Sequence, residues 1–244
     1  MKDIQELIDT GEKYKHVVVQ TRFPSKKNAV AYVTLKGKPR VLKWFAPGFK
    51  YQMETEYSIL KKGSSKLRMP NVYERDDKDN VLILSYITGE NLCDLVNDEK
   101  TTLGEKQRLM VLLGEWFAAF HIHFKQGDQV VIRGDSILHN FLFTDRIWGV
   151  DFEEARVGKP VEDIAGLCSS VLSTDPMFTS EKFELCTMFV ESYREKVKWA
   201  LEAVADEVAY ALLMKIQWRP DDEPVLREWA QRIRKQGLAL QVKS

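Results

Sequence analysis

Cysteine is scarce in this chain. Cys93, Cys168 and Cys186 lie far apart, with no CxxC pair and no histidine at metal-ligand spacing beside them. A disulfide framework and a zinc knuckle are thereby excluded, and a reducing, cytoplasmic setting is expected. Long hydrophobic runs are also missing. Stretches such as Val81–Leu84 fall far short of the roughly 20 apolar residues that span a bilayer. The opening MKDIQELIDTGEK carries Asp3, Glu6 and Asp9 and has no apolar centre, so it does not read as a signal peptide. Neither sign of charge is in excess, since Lys+Arg and Asp+Glu both number 36. A surface built to coat nucleic acid or membrane is therefore not the default. Internal repeats and long linkers are absent. What remains is a globular chain of 244 residues, 44% hydrophobic and 30% charged, long enough for one large domain or two small lobes.

The balance of charge hides an asymmetry. From Lys13 to Met53 there are ten basic residues and no acidic one. Most charge runs are simply solvated faces, but this one also suits a region that holds an anion such as a polyphosphate.

The first ninety residues read mainly as strands. HVVVQTRF ends at Pro24-Ser25, and AVAYVTL (29–35) runs through the turn Lys36-Gly37-Lys38-Pro39 into RVLKWF (40–45) as a hairpin. METEYSILKK has helical spacing, with Met53, Tyr57 and Leu60 on one side. MPNVYERD and VLILSYI make another strand pair around an acidic turn, and Thr88-Gly89 ends the sheet. Beyond it, helices are expected over 91–97, 103–125, 161–173, 180–201, 203–217 and 223–236. Short strand-like pieces at VVIRG, NFLF and IWGVDF interrupt them. The expected fold is α+β, with a small antiparallel β-rich lobe over 1–88 and a larger helical lobe over 89–244.

The chemistry concentrates in RGDSILHNFLFTDRIWGVDFEE. Asp135 and Asn140 are five residues apart across a short loop, and Asp151 follows at a strand end. Two carboxylates and an amide offer oxygen ligands of the kind Mg²⁺ prefers, with water and phosphate oxygens completing its shell. Taken alone the D-x4-N spacing is weak. Asp135 as an Asx-turn residue and Asp151 as a strand-end acceptor are the plainer alternatives.

Here the chain resembles the protein-kinase-like superfamily. The likeness is strongest to its minimal branches: aminoglycoside and choline phosphotransferases, the RIO kinases, and the small kinase of the tRNA threonylcarbamoyl-modification complex. Arg133-Gly134-Asp135 to Asn140 corresponds to the catalytic loop, Asp151-Phe152-Glu153 to the metal-binding strand end, and GKPVEDIAGL to the segment that follows. The resemblance implies ATP and Mg²⁺ as cofactors, Asp135 as catalytic base, and Asn140 and Asp151 as metal ligands. It implies that Asp163 is a buried acid bracing the catalytic loop. In the first lobe it implies that Lys43 orients the α/β-phosphates, held by Glu56, with Glu54 as the competing partner. Val41 would roof the adenine and Leu84 guard the back pocket, while the Ser85 carbonyl and Ile87 amide would meet the adenine edge. His121 matches a common histidine of the long helix and reads as a packing residue.

The chain departs from the superfamily pattern in three places. No G-x-G-x-x-G covers the phosphates; the equivalent turn is Pro24-Ser25-Lys26-Lys27-Asn28, whose backbone N–H groups, with Lys26 or Lys27, would take that role. Arg133 stands where a scaffold histidine is usual, and Glu153 where a glycine follows Asp-Phe. The implied function is transfer of the γ-phosphate of ATP to a hydroxyl, with a small hydroxylated molecule favoured over a protein as acceptor. Asp151 and Asp163 are only twelve positions apart, too few for a peptide platform. Glu191, Tyr193, Trp218 and Asp221 are the residues expected to wall the acceptor. A compact serine/threonine protein kinase of RIO or tRNA-complex type, and a pseudokinase, remain alternative readings. A membrane partner is not expected, and a nucleic-acid partner is disfavoured because the basic first lobe lacks interleaved aromatics.

Overall fold

The structure, a computed structural model, describes residues 4–25 and 27–238. The chain forms two compact units, Met1–Thr88 with Val150–Glu154, and Gly89–Gly149 with Ala155–Ser244. Residues 150–154 thus group with the first unit, where an uninterrupted segment 89–244 was expected. The physical reason is the buried Lys43, which takes two of its counter-ions from that short return segment.

The small unit opens with α1 (Ile4–Thr10) and a 3-10 turn at Glu12–Tyr14. Strands β1 (Val17–Phe23), β2 (Ala29–Leu35) and β3 (Lys38–Trp44) follow, then helix α2 (Lys50–Gly63) and strands β4 (Val72–Asp76) and β5 (Val81–Ser85). The five strands form one antiparallel sheet in the order β1-β2-β3-β5-β4. Lys36 and Gly37, both at positive φ (50° and 73°), make the tight turn between β2 and β3. Left-handed central residues match the twist of the strands they join.

Alternation along the strands separates two faces. Ala31, Val33, Leu42, Trp44, Val81 and Ile83 pack into one cluster with Ile4, Leu7 and Ile8 of α1 and with Tyr14. Helix α1 had no counterpart in the sequence reading, yet its i, i+3, i+4 apolar residues cover this face. Tyr14 and Lys13 anchor it, the hydroxyl donating to Asp76 at 2.9 Å and the ammonium lying 3.0 Å from the same carboxylate. On the opposite face, Lys43 stands between Val30 and Leu82 in one rung, and Val41 between Tyr32 and Leu84 in the next. Helix α2 buries Met53, Glu56, Ile59, Leu60 and Gly63. One carboxylate therefore sits within an otherwise apolar stripe.

The large unit contains β6 (Glu90–Asn91), α3 (Leu92–Asn97), α4 (Leu103–His123), β7 (Lys125–Gln126), β8 (Gln129–Ile132), β9 (Phe141–Phe143), β10 (Ile147–Gly149) and β11 (Arg156–Gly158). Helices α5 (Pro160–Leu172), α6 (Ser180–Lys196), α7 (Val204–Met214) and α8 (Glu223–Gln236) complete it. A capping box between Thr102 and Glu105 starts α4. Its apolar half packs Trp116 and Phe117 against Phe141, with Phe120 stacked on Trp116 and Phe189 of α6 against Phe117. Gly114 permits this approach, since a Cβ there would lie 2.6 Å from the Phe189 carbonyl oxygen.

Helix α6 stops at Lys196 rather than near 201. Past the extended Val197 the chain turns back, so that the Trp199 indole donates to the Tyr193 hydroxyl at 3.2 Å. The short strands form two three-stranded sheets, β10-β9-β6 and β11-β8-β7. Residues 133–140 form the connection that leaves β8 in one sheet and enters β9 in the other.

Candidate active site

In the small unit the candidate side chains meet at Lys43. Its strand register turns the side chain to the face away from α1, where it is 5% exposed. Its Nζ lies 2.7 Å from Glu56 Oε2, 2.5 Å from Asp151 Oδ1 and 2.7 Å from Glu153 Oε2. Burial pushes the ammonium toward neutrality, but Glu56, Asp151 and Glu153 outweigh it and hold the pKa above the usual lysine range. Glu56 is also buried, which raises its carboxyl, while Lys43 opposes that shift. Glu54, two residues away, is exposed, so α2 selects Glu56 as the partner by its buried face.

Asp151 lies just past β10, at φ 62°, a left-handed conformation that aspartate adopts more readily than most residues. It is therefore past the strand rather than its last residue. Phe152 beside it is fully buried, and its N–H donates to Glu56 Oε1 at 3.4 Å. The acid pair that follows reaches the turn between β1 and β2. Asn28 Nδ2 donates to Glu153 Oε2 at 2.6 Å, and Lys27 lies 2.6 Å from Glu154.

The turn expected to cradle the phosphates has partners of its own. The Lys27 ammonium is engaged by Glu154, and the Asn28 N–H donates to Ser25 Oγ at 3.4 Å, so both groups have partners within the unit. Lys26 lies outside the described residues. Val41 is half-buried opposite the buried Leu84. Ser85 ends β5, its N–H donating to the Asn71 carbonyl and its Oγ accepting from the Asn71 N–H, both at 2.9 Å. Ile87 follows in the irregular stretch before Gly89, half-buried.

In the large unit the loop after β8 carries Asp135. Asn140 Nδ2 donates to the Asp135 carbonyl at 3.0 Å and to its carboxylate Oδ2 at 3.1 Å. The amide oxygen of Asn140 is then the atom left to ligate a cation. Asp163 braces the loop from α5, accepting from the Arg133 N–H at 2.6 Å and the Gly134 N–H at 3.0 Å. His121 Nε2 lies 3.1 Å from Asp163 Oδ2, and its Nδ1 lies 3.0 Å from the Tyr193 hydroxyl. A carboxylate only accepts, so the hydrogen sits on Nε2, and Tyr193 gives its own to Nδ1 while accepting from Trp199. Burial works against the Asp163 anion, yet these donors hold its pKa below the ordinary carboxylate range.

One expectation changes in this unit. Tyr193 was expected to face an acceptor; it is fully buried and belongs to the brace instead. Glu191, Trp218 and Asp221 are exposed. Arg133 packs its guanidinium 4.6 Å over the Phe141 ring and 5.6 Å from that of Trp116. Its backbone still delivers the N–H that Asp163 needs.

Sequence reasoning passed over Asn28, Glu153 and Lys215. Glu153 was visible only as a departure from glycine. Lys215 lies in the 3-10 turn after α7, where burial and Arg219 depress its ammonium and Asp135 opposes them. Its signal was weak, because a lysine late in a helical pattern resembles any other.

No protein-family model and no curated protein matches the chain. Solved structures do. The aminoglycoside phosphotransferase APH(4)-Ia superposes at a TM-score of 0.67 with 13% identity, over 96% of this chain and 98% of its own. The fold is protein-kinase-like. A structure of a thermostable APH(4)-Ia mutant in ternary complex with ADP and hygromycin B gives 0.64 and 14%, over 96% and 98%. The macrolide 2′-phosphotransferase MphH of Brachybacterium faecium shares this protein-kinase-like fold at 0.62 and 15% identity, over 98% of both chains. A choline/ethanolamine kinase family protein of Mesorhizobium loti does so at 0.58 and 13%, over 98% of this chain and 95% of its own.

Proposed function

We propose that the protein is an ATP- and Mg²⁺-dependent phosphotransferase that moves the γ-phosphate to a hydroxyl of a small molecule. The observation that carries this reading is the buried Lys43, with Glu56 and Asp151 on one ammonium. A lysine so held keeps its charge and its direction, as a group that orients phosphates must. Val41, Leu84, Ser85 and Ile87 are assigned to the adenine.

The donor chemistry fits the metal. Asp151 and Asn140 offer a carboxylate and an amide oxygen, hard ligands of the sort Mg²⁺ takes, and these two are assigned to it. When bound, Mg²⁺ neutralises charge on the polyphosphate. Asp135 positions the acceptor hydroxyl and takes its proton as transfer proceeds, while Asn140 and Asp163 fix the loop that carries it. The neighbours in fold include an aminoglycoside phosphotransferase and a macrolide 2′-phosphotransferase, which supports a small-molecule acceptor here. So does the short span between Asp151 and Asp163. The three free cysteines are buried, in keeping with a cytosolic setting. Among the described residues no helix is long and apolar enough to cross a membrane.

The test is a thermal-shift screen with ATP and GTP, with and without Mg²⁺, followed by radiolabelled phosphate transfer to a panel of hydroxylated metabolites. Stabilisation by Mg·ATP and a labelled metabolite are expected. Labelling of a generic peptide with no metabolite accepted would shift the acceptor to protein. Nucleotide binding without transfer to any acceptor would mark a pseudokinase.

A further inference from the structure

Glu153 has no task in the reaction just described, yet it makes the third carboxylate on Lys43. One ammonium faces three carboxylates, each within 2.7 Å, so negative charge outnumbers positive where the phosphates are assigned to arrive. Glu153 is not a loose side chain. The oxygen that meets Lys43 also accepts from Asn28 Nδ2 at 2.6 Å, and Asn28 Oδ1 accepts from the Ala46 N–H at 3.4 Å, just past the end of β3. Asn28 and Lys43 are both almost wholly buried, and the Glu153 side chain is 11% exposed. Together they form a built clamp, in which the turn that stands in for a glycine loop is pinned to the lysine through one carboxylate oxygen.

We infer that Glu153 is a positioning residue that makes nucleotide binding depend on a divalent cation. This inference rests on the phosphotransferase reading. A bare polyphosphate approaching Lys43 competes with a fixed carboxylate for the same ammonium, and repulsion at about 4 Å is severe where water is largely excluded. A nucleotide carrying a divalent cation brings its own compensation. With glycine at this position the lysine would keep Glu56 and Asp151 alone, and the bias against metal-free nucleotide would be smaller.

The experiment is isothermal titration calorimetry of ADP against the full chain, once with Mg²⁺ and once with EDTA. It compares the parent with Glu153→Gln, Glu153→Gly, Glu153→Asp and Glu154→Gln. The quantity read is the ratio of the two dissociation constants. The parent should bind far more tightly with Mg²⁺. Glu153→Gln should narrow the ratio by about tenfold or more, chiefly by tightening the metal-free complex. Glu153→Gly, the second charge-removing variant, should narrow it likewise, while Glu153→Asp restores part of it. Glu154→Gln deletes a charge one residue away that meets Lys27 rather than Lys43, and should leave the ratio in place. Equal weakening of both complexes by Glu153→Gln and Glu153→Gly would mean a merely structural role and overturn the inference. An equal narrowing in Glu154→Gln would overturn it too, since general charge would then suffice. A parent that binds ADP under neither condition would bring down the phosphotransferase reading itself, whereas tight Mg²⁺-dependent binding with an unmoved ratio in both Glu153 variants would sink this inference alone.

Discussion

His121 Nε2 and Asp163 Oδ2, 42 residues apart in sequence, lie 3.1 Å from each other in the interior of the large unit. The same carboxylate receives the N–H groups of Arg133 and Gly134, so one acid links the long helix α4 to the loop bearing Asp135. Asp163→Asn should cost about 3 kcal/mol, because it removes a buried carboxylate that accepts from the His121 ring and from two backbone N–H groups. The pH dependence has a definite sign. A carboxyl held below its unfolded value contributes stability that is present above roughly pH 4 and lost as pH falls through the folded pKa. Urea denaturation at pH 7 and at pH 3 should show the parent and Asp163→Asn converging in acid. A constant gap at both pH values would refute the assignment.

Glu56 and Glu54 provide an internal comparison. Glu56→Gln should lower phosphate transfer by at least an order of magnitude, because it weakens the hold on Lys43, whereas the exposed Glu54→Gln should change stability by less than about 0.5 kcal/mol and leave turnover alone. Steady-state kinetics on both variants decides the matter. Similar losses in the two would remove Glu56 from its role.

Asp135→Asn separates binding from chemistry. Affinity for Mg·ATP should stay near the parent value while turnover drops by about 10²–10⁴, the usual worth of a positioned base. Wild-type turnover in this variant would move the proton acceptor elsewhere.

Lys182 gives an alkaline signature. It is 4% exposed, and burial depresses its ammonium to about 8 from 10.5, although it donates to Thr174 Oγ1 at 2.8 Å. Between those two values the unfolded chain binds more protons than the folded one, so this group makes stability rise with pH across that window. Subtracting the stability profile of Lys182→Met from that of the parent between pH 7 and 10 should leave a positive slope above pH 8. A flat difference would show that the ammonium is not depressed.

Local pattern carried much of this architecture. The β2–β3 hairpin follows from its turn residues, and α2 follows from its apolar spacing, with Glu56 falling on the buried face. Asp135 and Asn140 stood out only weakly by their spacing, and it was the resemblance that singled them out, with Asp163 beside them. What escaped was set by distant partners. Whether Tyr193 faces solvent or the interior depends on His121, 72 residues away, and no helical periodicity records that. Asn28 meets Glu153 across 125 positions, so an unremarkable turn asparagine and an off-pattern glutamate gave no joint signal. Helix α1 was missed because its few apolar residues acquire meaning only once a sheet face needs covering.

The return of residues 150–154 to the first unit bears on biosynthesis. A growing chain emerges N-terminus first at about 5–20 residues per second, and Asp151 is made 108 positions after Lys43. For about five to twenty seconds the nascent small unit holds its central lysine with Glu56 alone, and Asn28 lacks its acceptor. Maturation of the first unit therefore waits on translation of the whole 89–149 stretch of the second. A ribosome-stalled chain ending before Val150 should expose a sheet that is paired but electrostatically unfinished, a natural substrate for chaperones.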